Sequence, residues 1–101
     1  MNKIFELIEN ALNKPIQYGR NKDKLTPPYI VYLGDGVKKI EADNSVYSSK
    51  NNYRLELYFE KKDEKIENTI ENILNENEYP WEKSEDIFIS EENIFEIIYN
   101  I

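Results

Sequence analysis

The sequence predicts an α+β two-layer sandwich, and three observations predict it. Two segments carry apolar residues at helical spacing. Four others are β-branched or strictly alternating, and the main elements follow in the order α-β-β-α-β-β. Two hairpins joined by a helix then make one mixed four-stranded sheet with two helices on one face. At 101 residues this is a single domain, 1–101. No internal repeat, low-complexity segment or linker divides it.

The first helix is expected over residues 2–13, where Ile4, Phe5, Leu7, Ile8, Ala11 and Leu12 mark one face. Asn13 and Pro15 stop it, because the residue before a proline is pushed out of the helical region. Ile16 to Tyr18 suit a short extended piece and Gly19 permits a turn. Tyr29 to Leu33 are β-branched or aromatic almost throughout, as in a strand covered on both faces. Gly34-Asp35-Gly36 is expected to end that strand as a turn. Residues 37–52 form a long polar excursion, in which Val37 to Glu41 can extend the hairpin arms.

The next strand alternates: Tyr53, Leu55, Leu57 and Phe59 point one way, Arg54, Glu56, Tyr58 and Glu60 the other. Asp63 suits a helix N-cap, with Glu64 and Glu67 well placed in the first turn. The second helix shows Ile66, Ile70, Ile73 and Leu74 on one face and a polar, acidic face expected to do no more than meet solvent. Residues Glu82 to Ser90 read as one strand centred on Ile87, Phe88 and Ile89. A hairpin loop at Ser90–Asn93 leads to the last strand, with Phe95, Ile97, Tyr99 and Ile101 on one side. Tyr58, Ile94 and Ile98 fall on the opposite side of the sheet. That leaves either a face met by another subunit or one wrapped by the polar excursion.

Composition excludes several function classes. Without cysteine there is no disulfide framework, thiolate metal site or cysteine nucleophile. Without histidine the commonest general base and transition-metal ligand are missing. The longest apolar run, Tyr29 to Leu33, falls far short of the ~20 residues that span a bilayer. The amphipathic pattern begins at the first residues, so no signal segment is expected and the producing cell's cytoplasm is the expected location. A formal charge of -7 argues against specific nucleic-acid binding, which needs clustered Lys and Arg. Eleven lysines against two arginines suggest an AT-rich genome.

No catalytic constellation emerges. Glu85-Asp86 and Glu91-Glu92 could meet across the final hairpin to hold a hard cation, but they lack the alternating ligands of an EF-hand. Gly34-Asp35-Gly36 has neither GxGxxG nor Walker spacing, so a turn is the better reading. The eight tyrosines lack the basic groove that a base-stacking platform needs. They divide between core and contact surface. The expectation is a binding protein, not an enzyme, with no cofactor and no metal.

The wording of Tyr29 to Gly36, of Glu41-Ala42-Asp43-Asn44 and of Tyr53 to Asp63 resembles the phage and prophage tail terminator (tail completion) proteins of Firmicutes-type siphophages and phage-tail-like particles. The resemblance extends to Pro15-Ile16-x-Tyr18-Gly19 and Tyr79-x-x-Glu82-Lys83-Ser84-Glu85, and so touches most of the chain. Asn21 to Thr26 do not match. The resemblance implies the same α+β architecture and a homo-hexameric ring on the head-proximal end of the tail tube. Such a ring stops polymerisation and joins the tail to the head connector. The implied partners are the major tail tube protein, the head-tail connector proteins and the chain itself, with no membrane. The implied places are the host cytoplasm during assembly and the tail or neck of the virion. Carried over residue by residue, partner contacts fall on Gly34, Asp35, Gly36, Ala42, Asp43, Asn44 and Tyr47. Alternative readings are a head-closure or neck protein of the same particle, and an acidic inhibitor in which the carboxylates around Asp63–Glu78 imitate nucleic-acid phosphates.

Overall fold

The computed structural model describes residues 3–20, 24–41 and 47–101, with segments 37–41 and 47–51 as backbone alone. Helix α1 (Lys3–Leu12) leads to strands β1 (Ile16–Tyr18), β2 (Tyr29–Glu41) and β3 (Tyr47–Phe59). Helix α2 (Glu64–Glu76) is followed by β4 (Glu82–Lys83), β5 (Ile87–Ile89) and β6 (Ile94–Asn100). The α+β class and the order of the main elements agree with the sequence. The sheet, however, has six strands and not four, in the order β1-β2-β3-β6-β4 with β5 also on β6.

Both extra strands have local causes. Ile16–Tyr18, expected as an extended piece, pairs parallel to Ile30, Val31 and Tyr32. Its helix-facing residue Ile16 is buried, and the Ile16 amide donates to Glu9 Oε2 of α1 at 2.8 Å. The expected single strand Glu82–Ser90 is broken into β4 and β5 by Ser84. Its hydroxyl accepts the Ile98 amide at 2.9 Å while its own amide donates to the Ile98 carbonyl. A side chain thus takes one ladder bond, and the backbone is released before it rejoins β6 at Ile87.

The core forms between the helices and one sheet face. Ile30, Leu55, Leu57, Phe59, Ile97 and Tyr99 meet Ile4, Phe5 and Ile8 of α1 and Ile66, Ile70 and Leu74 of α2. Register explains the match: Ile30 opposes Leu57, and Leu57 opposes Ile97, so one apolar stripe crosses three strands. Leu12 and Ile73 pack at the rim of this core. Asp63 caps α2 as its residue type suggests, its Oδ1 accepting the Lys65 amide at 3.0 Å. Asn13, at φ 53, leaves α1 in the left-handed conformation just before Pro15.

The opposite face is partly covered from within the chain. Tyr29, Val31 and Ile94 on it are buried. Parallel strands need a crossover, and the start of the β1–β2 connection lies over this face, where Gly19 and Arg20 line a cavity of about 270 Å³ with Tyr29, Val31, Tyr58 and Glu92.

Candidate functional site

The residue types of Gly34-Asp35-Gly36 suggest a stop, yet the strand runs through them. Gly34 still opposes Tyr53, and regular pairing resumes at Val37 opposite Asn51. The register shift between them is a β-bulge, and Gly36 holds it at φ 85, a conformation that side chains with a Cβ rarely adopt. The expectation of a strand-ending turn is therefore corrected. Turn and bulge share their glycines. They differ in whether a partner strand is waiting beyond.

Beyond the bulge, Val37–Glu41 pair with Tyr47–Asn51 over five register positions. Among the described residues this stretch has no other strand neighbour: β1 meets β2 only at Ile30–Tyr32, and β6 meets β3 only at Arg54–Phe59. It is a two-stranded ribbon that leaves the body of the sheet. At ~3.3 Å per residue it reaches roughly 15 Å past the bulge. A two-stranded ribbon is at best marginal in water unless something packs on it.

Of the seven predicted contact residues, the four that are described lie at the two ends of the ribbon. Gly34, Asp35 and Gly36 are exposed at the base of the ribbon. Tyr47 stands at its far end, in register with Glu41. Ala42, Asp43 and Asn44 lie outside the described residues. The ribbon is the single element that carries both ends of the set.

A second cluster was not legible in the sequence. The acidic face of α2, expected to be a solvated surface, is in part a buried ionic network. Glu67 is 3 % exposed and lies 2.9 Å from both Lys62 Nζ and Lys83 Nζ. Lys83 also meets Glu71 at 2.8 Å, and Lys62 meets Asp86 at 3.0 Å. The hydroxyl of fully buried Tyr99 donates to Glu71 Oε2 at 2.8 Å. Burial and the Glu71 carboxylate both hold the Tyr99 hydroxyl far above the usual phenol range. Burial works to lower the Lys62 ammonium, but hydrogen bonds to Glu67 and Asp86 outweigh it, so the group is raised. Lys83 is raised first by its hydrogen bond to Glu71. The network ties α2 to β4, β6 and the segment before β5. The spacing of Glu67 and Glu71, i and i+4 on one helix face, was the available signal. It does not reveal which face the tertiary structure covers.

On the sheet face away from the helices, Tyr58 stacks on Tyr29 with ring centroids 4.9 Å apart and donates to Glu56 Oε1 at 2.9 Å. Arg54 Nε lies 2.9 Å from the other oxygen of Glu56. Burial, then the neighbouring carboxylates of Glu96 and Glu56, raise the Tyr58 hydroxyl. Burial chiefly raises Glu96, with a further push from the Glu56 charge. Tyr58 and Glu56 satisfy each other, whereas the buried Arg54 Nε meets Glu56 as an ion pair without hydrogen-bond geometry.

The carboxylates considered as a cation site part company: Asp86 turns to Lys62, while Glu91 and Glu92 sit exposed in the turn before β6. Among the described residues no group of acidic side chains is arranged to hold a metal ion, and no helix is long and apolar enough to cross a membrane. No protein-family model matches the chain, and no curated protein matches it.

Proposed function

We propose that the chain is a structural component of a phage, prophage or phage-tail-like particle, acting as a tail terminator. In this reading it caps the head-proximal end of the tail tube, stops polymerisation and joins the tail to the head connector. One observation carries the reading: the β2–β3 ribbon leaves the sheet at the Gly34–Gly36 bulge, within the segment where the family resemblance is strongest. A ribbon with no further strand neighbour among the described residues gains stability when a partner packs on it, and main-chain edges suit pairing with another protein. The mechanism is binding alone. One face of a homo-hexameric ring matches the last tube ring, and the other offers no site for a further tube subunit. The protein would assemble in the host cytoplasm and remain in the tail or neck of the virion.

The test is tube growth. Purified major tail protein is polymerised with and without this chain, and tube lengths are measured by electron microscopy. Wild type should arrest growth at one end. The double substitution Asp43→Ala/Asn44→Ala should leave the thermal midpoint nearly unchanged and lose arrest. Tubes of unaltered length with wild type would overturn the reading. Labelling of isolated heads instead of tube ends would transfer it to the head-closure alternative. The acidic-inhibitor alternative is weakened by Glu67 and Glu71, whose carboxylates are turned toward Lys62 and Lys83 instead of outward.

A further inference from the structure

The two large apolar side chains most exposed among the described residues lie on opposite edges of the sheet. Tyr18, 60 % exposed, is on β1, and Phe88, 52 % exposed, is on β5. An isolated exposed aromatic needs no explanation, but each of these ends a row of touching rings. Tyr18 meets Tyr32 at 5.4 Å, and Tyr32 stacks on Phe5 at 4.3 Å. At the other edge Phe88 meets Phe95 at 5.1 Å, and Phe95 stacks on Phe59 at 5.6 Å. Register places both rows on the helix-bearing face. Their inner ends are anchored in the core, so the outer rings lose little freedom when something covers them.

The charges beside the two edges are opposite. Lys14 and Arg20 flank β1 and outnumber the Glu9 carboxylate that accepts the Ile16 amide there. The far edge carries Glu82, Glu85 and Asp86, and the lysines beside it are turned to carboxylates, Lys83 to Glu67 and Glu71 and Lys62 to Glu67 and Asp86. Two like edges would repel, whereas two unlike edges attract and each brings one aromatic anchor.

We propose that copies of this chain associate head to tail, the β1 edge of one against the β4/β5 edge of the next, with Tyr18 and Phe88 as the anchors. The contact is heterologous, so it propagates and closes into a ring where the rotation permits. It also shields the outer edge of β4 and β5; on β1 the Ile16 amide and the Tyr18 carbonyl are already bonded, to Glu9 and to the Arg20 amide. The inference deepens the reading of the chain as a ring-forming terminator, because it names the surfaces by which the ring would form.

Sedimentation of the full chain at physiological ionic strength tests it. Tyr18→Ser and Phe88→Ser should each weaken self-association by about tenfold or more, while Tyr18→Phe, which keeps the ring, should associate like wild type. The paired reversals Lys14→Glu/Arg20→Glu and Glu82→Lys/Glu85→Lys should each be monomeric alone, because their two edges then carry the same sign. Mixed in equal amounts they should associate again, alternating along the assembly. Thermal midpoints verify that each variant is folded. A wild type that stays monomeric to its solubility limit overturns the proposal. So does a mixture that fails to recover, or a loss confined to one aromatic variant, the mark of a like-with-like contact. Failure of the two readings is distinguishable. Wild type that associates through these edges without arresting tubes overturns only the terminator role. Arrest by wild type with association unaltered in every edge variant overturns only the edge contact.

Discussion

The carboxylate of Glu67, nearly sealed from solvent in the first turn of α2, lies 2.9 Å from the ammonium of Lys83 on β4. This contact ties the second helix to the shortest strand of the sheet. It also makes the stability of the C-terminal half depend on charge.

Lys83→Ala should therefore destabilise the protein by about 1–3 kcal/mol. It leaves a buried carboxylate with one cation fewer, while Lys62 limits the loss. Adding Glu67→Gln to that variant should recover part of the loss, since the uncompensated charge is gone. Chemical denaturation of the two variants provides the measurement. A double variant less stable than Lys83→Ala would show that Glu67 matters for shape and not for charge.

Leu57→Ala should cost about 2–5 kcal/mol, the lost transfer energy plus a cavity, because Leu57 is buried between Ile30 and Ile97 at the centre of the sheet. Phe88→Ser, at an exposed edge, should cost less, about 1–1.5 kcal/mol, for the lost ring contact with Phe95. The pair calibrates core against edge in one thermal-denaturation series.

Gly36→Val should cost about 1–2 kcal/mol from backbone conformation alone. No atom would crowd the added Cβ, but φ 85 strains a β-branched residue. The loss should fall on the ribbon, seen as faster amide exchange in segments 37–41 and 47–51 with the body unaffected. Uniform acceleration across the sheet would mean that ribbon and body unfold as one unit.

The pH dependence follows from Glu96. Burial, with the neighbouring Glu56 charge, raises its carboxyl in the folded state. A raised carboxyl favours the folded state below its unfolded pKa, and that contribution is lost as pH rises through the folded value. Glu96→Gln should thus raise the thermal midpoint at neutral pH, and the gain should shrink once the pH falls below the ordinary carboxylate range. An equal gain at both pH values would show that charge is not the cause.

What the sequence determined by itself is what short-range periodicity and local chemistry control. The stripe Leu55–Leu57–Phe59 faces the helices, as strict alternation requires. Asp63 caps α2 because its side chain bonds an amide two residues away. The Ser90–Asn93 turn reverses the chain between β5 and β6 where polar residues interrupt two apolar runs. Of the candidate site, the two glycines of Gly34–Gly36 were visible as an interruption. Whether that interruption was a turn or a bulge depended on Val37–Glu41 finding Tyr47–Asn51. The tertiary structure alone decided such matters, because each requires a partner distant in the chain. β1 became a strand when β2 offered it a parallel edge. Ser84 split the expected strand when the Ile98 amide came within reach of its hydroxyl. Glu67 became a buried ion when two lysines 5 residues before it and 16 after it converged on one helix face. Tyr18 and Phe88 became edge residues only once the strand order was set. No periodicity in a strand tells it whether a neighbour will lie on one side or on both.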